Sequence, residues 1–291
     1  MNEYVMLFER NFPYVIREKE VLHSLLQKDA GEWFEKRNEK GDLIAALLLH
    51  QNTVFMLCVD AAYRGQGIGT ALLVSAENRV KALGFSDVVI GAGASYLAPG
   101  VPMKAPIFPS VREVPLDAFF QDCSAFFLKR GYSHAWDCNC FDLVCESLKR
   151  DTDEAVSELG LSFAAPSDRE EVLAMIDAAH PSFARHYRSQ DLYGASSSRR
   201  VLMAREGNTV TGALILSVDD EGVGRIGCVA VIPAFRGRGM ATRLVRYATR
   251  YLALLGAKKA FVGYTYSGLE RLYGKCGYCI SCYYLMAKKE L

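Results

Sequence analysis

Residues 63–73 read YRGQGIGTALL, and residues 235–245 read FRGRGMATRLV. The two stretches share an arginine, then a glycine three residues on, then a glycine or alanine five residues on: Arg64, Gly67, Gly69 and Arg236, Gly239, Ala241. A constant offset of 172 residues relates them, and it holds upstream (Val59 and Val231) and downstream (Leu83-Gly84 and Leu255-Gly256). Between these points Leu72/Leu244, Leu73/Val245, Ala76/Ala248, Val80/Leu252 and Leu83/Leu255 form one apolar stripe at helical spacing, closed by Gly84 or Gly256 as a C-terminal cap. A repeat this long, at one offset, predicts duplicated domains and not a solenoid.

The flanks repeat as well. EWFEKRNEKGDLIAALLLHQNTVFMLCVD before the first turn and RRVLMAREGNTVTGALILSVDDEGVGRIGCVAVI before the second both predict strand, turn, strand, turn, strand. DVVIGAG from Asp87 and KAFVGYT from Lys259 predict a strand after each helix. The predicted domains are 1–148 and 159–291, joined by a polar linker over 149–158. Gly84 to Gly131 spans 47 residues against 21 from Gly256 to Gly277, so the first repeat carries an insertion near 93–118. Its prolines, among them Pro99, Pro102, Pro106, Pro109 and Pro115, predict an extended loop.

Composition excludes several classes. With 51% hydrophobic residues, 23% charged residues and a net charge of +1 in 291 residues, the chain is globular, with no global bias toward nucleic acid or anionic membrane. Its first twenty residues lack a signal-peptide pattern. Its longest aliphatic run, Leu43 to Leu49, is far short of the roughly 20 residues that span a bilayer, so the expected location is cytoplasmic. Nine scattered cysteines argue against a disulfide framework. Cys276, Cys279 and Cys282 have a C-x-x-C-x-x-C spacing, but the last two fall on a predicted strand and would face opposite ways, so no metal is expected.

Glycines let backbone N–H groups approach a ligand, and the following helix adds its positive dipole end, so each turn suits a diphosphate. No G-K-[ST] is present, which excludes a Walker loop. The register G-x-G-x-G or G-x-G-x-A is not that of a Rossmann fingerprint, and Asp87 begins its strand where an acidic residue should end one.

VDAAYRGQGIGTALL and VIPAFRGRGMATRLV resemble the R/Q-x-x-G-x-G/A motif of the GNAT superfamily of N-acetyltransferases. LYGKCGY (Leu272 to Tyr278) resembles that family's last-helix signature. The resemblance covers both repeats and implies an α/β fold of two tandem GNAT-like domains, each a mixed central sheet flanked by helices. It implies acetyl-CoA as donor and a primary amine as acceptor, with no metal. The diphosphate would be held by Arg64, Gly65, Gln66, Gly67, Ile68 and Gly69, and by Arg236, Gly237, Arg238, Gly239, Met240 and Ala241. The pantetheine arm would pair along Leu57, Cys58 and Val59, and along Val229, Ala230 and Val231.

It further implies an oxyanion donor at the backbone N–H near Val229 and a proton donor at Tyr273. Phe127 occupies the matching position of the first repeat and cannot donate a proton, so the second domain is the favoured catalyst. Tyr266 stands where the family often has asparagine. No general base is identifiable; His180 and His186 lie on the acceptor side. Two alternatives stay open: catalysis in the first domain, and a non-catalytic acyl-CoA sensor.

Overall fold

A computed structural model describes residues 2–15, 17, 19–91, 97, 100–103, 122–135, 140–148, 160–195, 197–266 and 268–291. They divide into two compact units. Among described residues the first holds those up to 103, those from 122 to 141, and 281–291; the second holds 142–280.

The first unit opens with helices α1 (Glu3–Asn11) and α2 (Lys19–Leu25), followed by the strands β1 (Glu32–Arg37), β2 (Leu43–His50) and β3 (Thr53–Val59). The first glycine turn leads into α3 (Ile68–Ala82), then β4 (Asp87–Ile90), β5 (Val101–Met103), α4 (Ser124–Leu128) and β6 (Ser133–His134). β2 is aliphatic from Leu43 to Leu49 because both of its faces are covered there. Ala45, Leu47 and Leu49 pack with Leu72, Leu73, Ala76 and Val80 of α3. Ala46 and Leu48 pack on the opposite side with Tyr4, Leu7 and Phe8 of α1.

The second unit contains most of β7 (Cys140–Cys145), then β8 (Leu161–Phe163), α5 (Arg169–Ala179), α6 (Ala184–Tyr187), β9 (Arg199–Glu206), β10 (Thr209–Val218) and β11 (Val223–Val231). After the second glycine turn come α7 (Met240–Leu254), β12 (Lys259–Tyr266) and α8 (Glu270–Gly274). Its strands run β8-β9-β10-β11-β12-β7. Val172 and Ile176 of α5 and Tyr187 of α6 cover one face, against Val201, Met203, Ala213 and Ile215. On the other face α7 lies close: a Cβ at Gly212 would stand 3.2 Å from Leu244, and one at Gly224 would crowd Leu252. No helix among the described residues is long and apolar enough to cross a membrane.

The chain end departs from the expected division at 148 and 159. After β13 (Cys279–Leu285) comes β14 (Ala287–Glu290), and β14 is a strand of the first unit's sheet, in the order β1-β2-β3-β4-β14-β6. It pairs antiparallel with β4 from Ala287↔Ile90 to Glu290↔Asp87, and with β6 at Ala287↔His134. Tyr283, Tyr284 and Leu285 likewise pair with Met103, Pro102 and Val101 of β5. Residues 281–291 are therefore part of the first unit, and Asp142 onward, expected in the first domain, is part of the second. The physical reason is edge satisfaction: β4 and β6 each leave a row of unpaired backbone groups that β14 fills. The expected linker 149–158 and most of the insertion 93–118 lie outside the described residues; within that insertion, 101–103 form β5.

Buried phenols and thiols set an alkaline limit on stability. Burial, with Glu35 beside it, raises Tyr4 to about 12; burial alone raises Tyr193 to about 12, against an ordinary value of 10.0. Burial likewise lifts Cys123, Cys228 and Cys276 to about 11 from 9.0. The unfolded chain loses these protons first, so stability is full below pH 9 and declines as pH rises through the folded values. Urea unfolding midpoints are expected to be level from pH 7 to 9 and to fall between pH 9 and 12. A level midpoint at pH 11 would contradict this.

Candidate functional site

The two glycine turns have the same backbone. Gly65 and Gly67 adopt φ of 77° and 81°, and Gly237 and Gly239 adopt 77° and 80°. L-residues rarely enter this region, which accounts for glycine at all four places. A Cβ on any of them would meet nothing within 4 Å, so the turns border open space. Gly67 and Gly239 are the N-caps of α3 and α7, and neither helix has a side-chain cap there. The first-turn amides of both 15-residue helices thus point out of the turn without a capping acceptor, an arrangement that suits an anion.

The motif arginines act as braces. Arg64 donates from Nε to the Val59 carbonyl at 2.8 Å and from Nη2 to Asn11 Oδ1 at 2.7 Å. Arg236 repeats this, from Nε to the Val231 carbonyl at 2.9 Å and from Nη2 to the Ala179 carbonyl at 3.0 Å. Each ties the end of its strand to the preceding helical segment and fixes the turn's exit.

β11, the strand before the second turn, leaves its parallel neighbour early: it pairs with β12 only from Val223↔Lys259 to Arg225↔Phe261, and Val229, Ala230 and Val231 lie past that point. In the first unit β3 pairs with β4 at Thr53↔Val89 and Val54↔Ile90, and Leu57, Cys58 and Val59 lie farther along β3. In β11 the departure coincides with a bulge: Ala213 pairs with Ala230 but Ile215 with Gly227, leaving Cys228 and Val229 opposite Leu214. Cys228 has φ of 52°, and its carbonyl accepts a 2.7 Å hydrogen bond from Tyr187 Oη. In β3 the extra residue is Phe55, one position out of register with the second repeat. The bulge turns backbone groups of β11 away from the ladder, beside Val229.

Tyr273 of α8 is 6% exposed and packs edge-on against Tyr278 at 6.0 Å between centroids. Burial raises its phenol well above 10, with the Cys276 and Cys228 thiols adding to the effect. It is thus protonated at neutral pH, and its hydroxyl has no hydrogen bond to a described residue. Phe127 of α4, its counterpart, is buried against Tyr132 at 5.5 Å.

A cavity of about 420 Å³ opens at the first turn. Leu57, Cys58, Val59, Arg64, Gly65, Gly67, Ile68 and Gly69 all border it; Gln66 does not, and its amide instead donates to the Ala62 carbonyl. The cavity is completed by residues that sequence reasoning missed: Asn11 at the end of α1, Phe12 and Tyr14 just after it, and Asp122, Cys123 and Arg130 around α4. Arg130 donates 2.6 Å hydrogen bonds to Thr70 Oγ1 and the Phe126 carbonyl and lies 3.8 Å over the Phe126 ring. In the second unit Cys276 takes the corresponding place, its thiol donating to the Thr242 carbonyl at 3.6 Å.

The remaining candidates have local roles. His186 accepts from Arg185 Nε at 3.1 Å, and burial with the Arg185 and Arg199 charges lowers its pKa, so it is neutral at pH 7. His180 stacks on Phe183 and pairs with Ser182. Asp142, on β7, is a buried carboxylate that accepts from the Tyr264 amide at 3.0 Å, where Tyr264 takes φ of 60°. Among the described residues no three His, Cys, Asp or Glu side chains are grouped to hold a metal.

These turns have known counterparts. The family model of the acetyltransferase (GNAT) family matches residues 2–96 and 169–278, and the chain belongs to that family. No curated protein matches it. Among solved structures it is similar to a GCN5-related glucosamine N-acetyltransferase region of a fungal multi-domain GH3 β-N-acetylglucosaminidase, with TM-score 0.68 and 21% identity. That match covers 98% of this chain and 36% of the other. A GCN5-related N-acetyltransferase from Sphaerobacter thermophilus is similar at TM-score 0.65 and 17% identity, over 99% of this chain and 91% of that one. A tandem GNAT protein from the clavulanic acid biosynthesis pathway is similar at TM-score 0.59 and 14% identity, over 99% and 94%. At these identities the likeness is one of fold, two tandem GNAT domains with mixed sheets.

Proposed function

We propose that the chain is an N-acyltransferase that takes acetyl from acetyl-CoA and delivers it to a primary amine. In this reading both glycine turns hold the coenzyme's diphosphate and the second unit performs the transfer. The observation that carries it is the pair of matching turns, each a positive-φ glycine pair opening an uncapped helix, the second beside β11 where it has left its neighbour. A neutral amine attacks the thioester carbonyl, and the oxygen that gains charge accepts from the amide near Val229. The nitrogen sheds a proton to water, collapse expels a thiolate, and Tyr273 Oη supplies the thiolate's proton and is reprotonated from water. The neighbour described as a glucosamine N-acetyltransferase puts amino sugars first in an acceptor panel.

A second reading places transfer in the first unit, and the 420 Å³ cavity at the first turn favours it. A non-catalytic sensor is the third, and free-thiol release across an amine panel separates it from both enzyme readings. Calorimetric titration with acetyl-CoA is expected to give two sites, one abolished by Gly67→Glu and the other by Gly239→Glu. Each substitution costs about 1–2 kcal/mol in the left-handed region, which a domain of ordinary stability tolerates. A single site lost only with Gly67→Glu would remove the second unit from the coenzyme assignment.

A further inference from the structure

The 420 Å³ cavity in the first unit has an inner neighbour of about 60 Å³. Phe12, Leu57, Cys123 and Phe127 border both, so the small pocket continues the large one. Its inner wall is Val54 of β3, Ile90 of β4 and Val101 of β5. Position along β3 orders the two. The strand's end, Val59, and the glycine turn border only the outer cavity, whereas Val54 and Met56 border only the inner pocket. A coenzyme with its diphosphate at the turn and its arm along β3 therefore points its thioester inward, past Phe127, at this pocket.

The lining decides the occupant. Among the described residues it contains no carboxylate, imidazole or ammonium, and its one polar side-chain group among them is the Cys123 thiol, raised by burial to about 11 and so neutral at pH 7. A charged or hydroxyl-rich group would lose its hydration there without replacement. An alkyl chain loses nothing and gains roughly fourfold in affinity for each methylene buried. At roughly 30 Å³ for a group the size of a water or methylene, the pocket takes about two.

Resting on the coenzyme reading of the first unit, we infer that this unit selects an acyl group about two carbons longer than acetyl. The pocket between β3, β4 and β5 houses the extra methylenes. Phe127, unable to donate a proton, serves as part of that apolar wall. The two units thus differ in donor as well as in chemistry.

The test is calorimetric titration of the full chain carrying Gly239→Glu, which leaves the first turn as the site read. The probes are CoA, acetyl-CoA, butyryl-CoA and octanoyl-CoA. Butyryl-CoA is expected to bind about fifteenfold tighter than acetyl-CoA, and octanoyl-CoA no tighter than butyryl-CoA. Val101→Phe fills the pocket and is expected to erase the gain. Val101→Ala, which avoids the overpacking that can prevent folding, is expected to move the optimum to a longer chain. Equal affinity for acetyl-CoA and butyryl-CoA, with CoA binding intact, overturns the inference and leaves the coenzyme reading standing. No binding of any probe, CoA included, overturns both. If n-butylamine tightens CoA binding while acyl length has no effect, the pocket belongs to the acceptor and the inference is wrong.

Discussion

Replacing Tyr273 with phenylalanine is expected to lower kcat for amine acetylation by roughly 10²-fold, the scale of a lost general acid. The ring keeps its volume and its edge-on contact with Tyr278, so folding and coenzyme affinity are expected to change little. The effect follows from where the hydroxyl sits. The Tyr273 ring is buried on α8, and the hydroxyl is near enough to Cys228 for the bulge thiol to influence its titration and is protonated at neutral pH. Thiolates leave tolerably without assistance, so steady-state rates alone are not decisive. A single-turnover rate within about threefold of the parent would make Tyr273 a packing residue and return the chemistry to the first unit.

Ending the chain at Ile280 is expected to unfold the first unit, although that unit begins near the other terminus. Tyr283, Tyr284, Leu285 and Met286 are each at most 2% exposed. At about 1.5–3 kcal/mol for each large apolar side chain buried, their loss removes roughly 6–12 kcal/mol, comparable with the 5–15 kcal/mol stability of a whole domain. Lost with them are the β14 ladder and the 2.9 Å ion pair of Lys289 with Glu77. Hydrogen exchange along β2 and β3 is the direct readout: protection there is expected to disappear in the shortened chain. Retained protection would mean that β4 and β6 manage without β14.

Much of this was legible in the sequence because it is local. The offset of 172 located both helices, which run Ile68–Ala82 and Met240–Leu254, and the meanders before them. The glycine spacing marked the turns because a left-handed backbone leaves glycine as the ready choice. What escaped was non-local. The motif arginines look like ligand-binding charges in the sequence, and only the fold shows them hydrogen-bonded to the Val59 and Val231 carbonyls. Asn11, Tyr14 and Arg130 reach the first cleft from segments with no motif of their own. The bulge at Cys228 depends on cross-strand register, which alternation in one strand does not reveal. AKKE at Ala287–Glu290 reads as a generic edge strand, and nothing in it announces β4 as its partner.

That placement of β14 also bears on how the protein is made. A ribosome releases β4 and β6 long before the strand that fills the gap between them. At 5–20 residues per second the roughly 150 intervening residues take on the order of 10–30 s. During that interval the nascent first unit carries two open sheet edges, templates for pairing with whatever extended segment is near. The unit begun first is completed last, so its birth order and its folding order run in opposite directions.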